Sequence, residues 1–193
     1  MYPLSFQKLI NQFSALPGIG PKMAERLVLY MYKQDGEKID QFTADMQNIK
    51  NIKSCKNCFN IAQNELCTIC TDSTRDHTQL CVVEESLDII PIERSQVFHG
   101  LYHVLGGTIK KSNTENITTQ QLVKRIENNG FTDVILATNF TTEGDYTAMY
   151  VHDLISSFDI KVFRIARGLA TGSDIEYADD MSIRSSMTNR ELL

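Results

Sequence analysis

The sequence predicts a multi-module α+β chain: an N-terminal helix-hairpin-helix segment, a small four-cysteine module, an α/β domain with a mainly parallel sheet, and a C-terminal tail. Three observations predict it. A Gly-x-Gly turn joins two stretches with apolar residues at helical spacing, two Cys-x-x-Cys pairs follow, and from Gln79 onward short apolar runs alternate with amphipathic ones. Strands alternating with helices imply a parallel sheet with crossover connections. The expected boundaries are 1–53, 54–78, 79–168 and 169–193.

At the front, Ser5 is placed to cap a helix whose Phe6, Leu9, Ile10 and Phe13 share one face. The run Leu16-Pro17-Gly18-Ile19-Gly20-Pro21-Lys22 is then a sharp turn, with two glycines that allow positive φ. Pro21 suits the first position of the next helix. Backbone N–H groups at such a helix start bind a phosphate oxygen well. Lys22 and Arg26, one turn apart, add charge on the same face. Gly18, Gly20, Lys22 and Arg26 are therefore the candidate DNA-binding residues, gripping the backbone without reading sequence. The alternative is a plain αα-turn with solvated charges. A further helix is expected over 37–50.

Next come Cys55-Lys-Asn-Cys58 and Cys67-Thr-Ile-Cys70, with eight residues between the pairs. Two such turns aim four thiolates at one point, which suits tetrahedral Zn²⁺ in a closed, structural site. Two disulfides or a chance cluster are the alternatives, and disulfides need an oxidising compartment. No export signal is evident near Met1 to Ile10, and no apolar run is long enough for a membrane helix, so a cytoplasmic chain is expected. Cys81, inside Leu80-Cys-Val-Val83, reads as a buried small hydrophobe.

The α/β part shows strand runs at 80–83, 102–105, 134–137 and 162–165, with helices over 118–129 and 143–158. Gly106-Gly107 stops the second strand, and Glu84 and the Thr138-Asn139 turn fall at carboxyl ends of strands, where ligands sit in such sheets. The tail carries a Gly-x-x-x-Gly pair and no long apolar stripe. Net charge is −5, which disfavours a whole-surface nucleic-acid binder and says nothing of patches. Residues 1–78 hold nine Lys/Arg against eight Asp/Glu, giving +1, while 79–193 hold ten against sixteen, giving −6. No Ser-His-Asp or Cys-His spacing is visible among His77, His99, His103 and His152, and His103 reads as structural.

The modules resemble the RecR family of bacterial recombination mediators in order and spacing over nearly the whole chain. The residues that carry the resemblance are LPGIGPK at 16–22, the cysteine quartet, Asp72-Ser-Thr-Arg-Asp76, LCVVEE at 80–85, GLYHVLGG at 100–107, ILATNFTTEGDYTAMY at 135–150 and Arg167-Gly168-Leu169. The chain departs from the family in the loop 108–117, which lacks the usual Gly/Pro-rich sequence, at Ala170, where a proline is common, and at Asp145, often Glu. The resemblance implies that the third segment is a Toprim domain, a fold shared with primases and type IA topoisomerases. It implies a homo-oligomeric ring around DNA, joined through N- and C-terminal contacts, that helps RecO and/or RecF load RecA at gapped DNA.

Catalytic Toprim enzymes hold Mg²⁺ with a strand-end glutamate and an Asp-x-Asp pair. Glu84 matches the glutamate, but the pair reads Asn139-Phe140-Thr141, so two carboxylates are replaced by an amide and a hydroxyl. No catalytic residue is therefore expected. A Mg²⁺-dependent nuclease or topoisomerase-like enzyme is the alternative. Glu84, Glu143 and Asp145 are expected to converge on an acidic rim, which reads as a solvated edge or, as the resemblance implies, as a docking face for a basic partner protein.

Overall fold

A computed structural model of the chain describes residues 2–109, 117–188 and 190. Most of the atypical loop at 108–117 lies outside the described residues. The chain divides into two compact units, 1–51 and 52–193.

The first unit is helical: α1 (Leu4–Ser14), α2 (Pro21–Tyr32) and α3 (Gly36–Asn48). Ile10, Ala24 and Val28 form a small core with Phe6, Phe13 and Ile19 packed against it. Pro21 opens α2 as expected. Ser5 does not cap α1. The helix starts two residues earlier than that cap implies, because Gln7 N–H already reaches Pro3 O at 3.0 Å, so Pro3 is the capping position. Asp35 caps α3 by accepting from Lys38 N–H at 2.9 Å. That helix buries none of its residues, leaving Phe42 and Met46 exposed.

The second unit opens with the ribbon β1 (Lys53–Ser54) and β2 (Ile61–Ala62), then the single turn α4 (Thr68–Thr71). Its main body runs β3 (Asp76–Val83), α5 (Ile89–Ser95), β4 (Gly100–Val104), α6 (Thr119–Asn128), β5 (Asp133–Leu136), α7 (Thr142–Ile155) and β6 (Lys161–Arg164). The four strands of the sheet are parallel, in the order β4-β3-β5-β6. Alternate residues go to opposite faces. Leu80, Val82, Val134 and Leu136 pack with Leu122, Ile126, Val151 and Ile155 from α6 and α7. Cys81, Val83, Tyr102 and Val104 pack with Ile89 of α5 on the other face. Burial pushes the Cys81 thiol up to about 12, which leaves it an inert apolar filler.

The sequence reading missed α5, a seven-residue helix with Pro91 in its first turn. It is fixed by a long-range network: Arg75 pairs with Glu93 and donates to Gly100 O at 3.1 Å, and Tyr102 OH donates to Glu93 at 2.6 Å. Also unforeseen is the tail helix α8 (Asp180–Thr188), beyond a short turn at Ile175–Tyr177. Among the described residues no helix is long and apolar enough to cross a membrane.

His103 is fully buried, with Nε2 at 2.9 Å from Thr118 Oγ1, and its role is structural. Desolvation, then the charge of Arg125, lowers it from 6.5 to about 3. The unfolded chain therefore binds this proton first, and stability present above about pH 6.5 is lost as the pH falls toward 3. His103→Leu should flatten that part of the stability profile, by up to about 1.4 kcal/mol per pH unit. Denaturant unfolding at pH 7 and pH 5 reads this out, and an equal pH slope in both proteins would contradict it.

Candidate functional sites

The four expected cysteines come together. The sulfurs of Cys55, Cys58, Cys67 and Cys70 all lie within 4.8 Å of one another, and Cys55, Cys58 and Cys67 are buried. None of the five cysteines is in a disulfide. Tetrahedral Zn–S bonds of about 2.3 Å place sulfurs about 3.8 Å apart. The Cys58–Cys67 separation of 3.4 Å is close to that, so the donor set fits the ion. Crowding of the sulfurs, the Cys58–Cys67 contact foremost, lowers the Cys67 thiol and raises that of Cys58. Cys67 N–H also donates to Cys55 Sγ at 3.3 Å, the kind of second contact that orients a thiolate ligand. Phe59, at φ +62°, closes the first Cys-x-x-Cys turn, and its ring meets His103 edge-on at 5.3 Å. Val104 N–H donates to Cys58 O at 2.8 Å, which seats the module against β4.

In the helical unit, Gly18 holds φ +79°, a conformation that favours glycine. Gly20 does not. It is extended, at φ −79°, and serves as the capping position of α2. Neither torsion nor packing therefore demands glycine at position 20, and a Cβ at either glycine would meet nothing within 4 Å. The turn is thus bare on its outer side. The amides of Lys22 and Met23, in the first turn of α2, have no carbonyl partner within the helix. Lys22 and Arg26 are both exposed beside them.

The carboxyl end of the sheet differs from the expected acidic rim. Glu84 is only 5% exposed, and its two carboxylate oxygens accept from Asn139 N–H at 2.9 Å and from the Asn139 side-chain amide. Its carbonyl accepts from Gly106 and Gly107, whose positive φ turns the chain after β4. Thr141 Oγ1 accepts from Gly144 N–H at 3.1 Å and so caps α7. A Cβ at Gly144 would sit 2.1 Å from Asn139 O and 2.8 Å from Glu84, so only glycine lets the helix come this close. Asn139 and Thr141 thus do structural work in place of the metal-binding carboxylates, and the residues present do not fit Mg²⁺. Asp145 is also engaged, by Arg167 and by Arg164 Nη2 at 3.4 Å. Those guanidiniums, Arg167 first, hold its carboxyl below the usual range. Of the three expected acidic residues, Glu143 stands exposed in the first turn of α7.

Models of known families match this chain module by module: the helix-hairpin-helix of RecR over 6–50, the four-cysteine zinc finger domain of RecR over 52–72, a Toprim domain over 78–166 and the C-terminal part of RecR over 168–191. The recombination protein RecR of Lactococcus lactis subsp. cremoris strain MG1363 is 42% identical over 193 residues, covering 98% of each chain. The chain belongs to the RecR family of recombination proteins. RecR of Streptococcus thermophilus is 41% identical over 194 residues, and RecR of Streptococcus suis strain 05ZYH33 is 41% identical over 194, each again covering 98% of both chains. With the zinc finger match, the cysteine cluster is the four-cysteine zinc site of a RecR protein. Sequence reasoning missed the side chains that hold this RecR rim together: Arg164, Arg167 and Phe140. Both guanidinium carbons lie 4.8 Å from the Phe140 ring centre. Two arginines three residues apart, at the end of a strand and just past it, were the available signal.

Proposed function

We propose that the protein is a non-enzymatic, DNA-binding mediator of recombinational repair, acting in the cytoplasm with RecO and/or RecF to help load RecA at gapped DNA. The observation that carries the DNA-binding part is the bare Gly18–Gly20 turn, with Lys22 and Arg26 exposed beside free helix-start amides. The division of labour we read is DNA binding in 1–53, zinc in 54–78, the Toprim domain in 79–168 and an oligomer contact in 169–193. Exposed Phe42 and Met46 on α3, and Tyr177 and Met181 in the tail, support assembly of several copies into a ring.

The absence of turnover is supported by the Asn139 amide, which occupies Glu84 where a metal-binding carboxylate would be needed. One titration tests both parts. The protein should bind unrelated duplexes with an affinity that falls steeply with salt, and adding Mg²⁺ should yield neither cleavage nor relaxation of supercoiled DNA. Turnover lost in Glu84→Ala would instead establish the Mg²⁺-dependent Toprim enzyme.

Partner docking belongs to the rim formed by Glu84, Glu143 and Asp145, in which Glu84 is buried, Asp145 is half-buried and Glu143 is exposed. Glu143→Lys should slow association with RecO several-fold at low salt and leave DNA affinity unchanged. Normal RecO binding with weakened DNA binding would reverse the two roles.

A further inference from the structure

Asp145 was expected at a docking surface, and its carboxylate is already engaged by two arginines of its own domain. Arg164 is anchored to the sheet, donating to Leu136 O at 2.9 Å and to Asn139 O at 3.2 Å. Arg167 has no such anchor on its own strand, since β6 ends at Arg164. Its guanidinium is held instead by Asp145, on the first turn of α7, and by the face of Phe140. The backbone of the same residue receives the tail, because Ser185 Oγ of α8 donates to Arg167 O at 3.0 Å. Arg167 therefore joins three things: the rim turn, the start of α7 and the C-terminal segment. Beyond it the chain passes through Gly168 and Gly172, the latter at φ +83°.

We propose that Asp145, Arg167 and Phe140 form a latch that sets the direction in which the segment 168–188 leaves the α/β domain. The side chains of Arg167 and Asp145 are 24% and 41% exposed, so the contact is neither sealed nor loose. A guanidinium shared between a carboxylate and an aromatic face is directional in a way that a lone surface ion pair is not. The carboxylate stays ionised at neutral pH, because Arg167 and then Arg164 depress it. The functional weight of the latch rests on the reading of the tail as an oligomer contact, whereas the latch itself is a property of one chain.

The test uses the full zinc-bound chain and the variants Asp145→Asn, Arg167→Gln and both together. Hydrogen exchange of the amides in 181–188 should speed up about three- to tenfold in each single variant. The double variant should exchange no faster than the faster single one, because both remove the same contact. Zinc content and thermal midpoint show that each variant is folded. Unchanged exchange in both single variants, or effects that simply add, would overturn the latch. Solution mass, read in parallel, answers a separate question: faster exchange with unaltered mass sustains the latch and removes the oligomer role of the tail.

Discussion

Replacing Cys67 with serine is expected to release the zinc and unfold the module around it. Binding free energy at a structural zinc site is folding free energy, on the order of 10 kcal/mol or more at neutral pH. A hydroxyl is a poor substitute for the thiolate, and Cys67 is one of four sulfurs that all lie within 4.8 Å of one another. The module has little else to hold it. Its strands are two residues each, its helix is one turn, and its buried residues are three of the cysteines plus Ala62. Stability should fall by more than about 4 kcal/mol, the range reached when a metal is lost. Metal analysis should find about one Zn²⁺ per chain in the parent protein and close to none in the variant. Unfolding in denaturant should show the loss, and a chelator should convert the parent into the same state. A variant that is metal-free and as stable as the parent would end the claim.

The second large effect concerns DNA. Lys22→Glu together with Arg26→Glu should lower affinity about a hundredfold near physiological salt, by removing two phosphate contacts and adding repulsion. Each lost contact should flatten the slope of log affinity against log salt by about 0.9, so the pair flattens it by about 2. Because such contacts carry no base information, unrelated duplexes should lose affinity equally. Both side chains are exposed, and the core of their unit is built from Ile10, Ala24 and Val28, so the fold should survive. Unchanged affinity would place the DNA contact elsewhere.

What the sequence revealed and what it hid divide along a physical line. Local rules worked where a residue answers to its neighbours in sequence. The Cys-x-x-Cys turns, Pro21 at the first helical position and the apolar runs of β3, β4 and β5 all fall where spacing put them. Gly20 shows the limit of a local rule. Glycine permits positive φ, but Gly20 is extended and has room for a side chain, so the torsional freedom read from the sequence is used at Gly18 and not at Gly20. At the rim the sequence did not show which charges have partners, because these are decided at a distance. Glu84 meets Asn139 across 55 positions, and Asp145 meets Arg167 across 22. No spacing rule reports such pairs, so carboxylates that looked free are already satisfied. Helix α8 was missed because it has no apolar stripe and buries none of its residues, leaving the sequence little periodicity to show.

The seating of the zinc module against β4 has one more consequence. A sheet of four parallel strands has two edges, each able to template pairing with another chain. At β6 the strand is short and begins and ends with Lys161 and Arg164, charges that discourage unwanted pairing. At β4 the strand carries Leu101, Tyr102 and Val104, all buried, and relies on cover, part of it the hydrogen bond from Val104 N–H to Cys58 O. Metal starvation would thus strip protection from the more apolar of the two edges. Zinc supply then governs solubility as well as folding, and the apo chain should accumulate as β-rich aggregates.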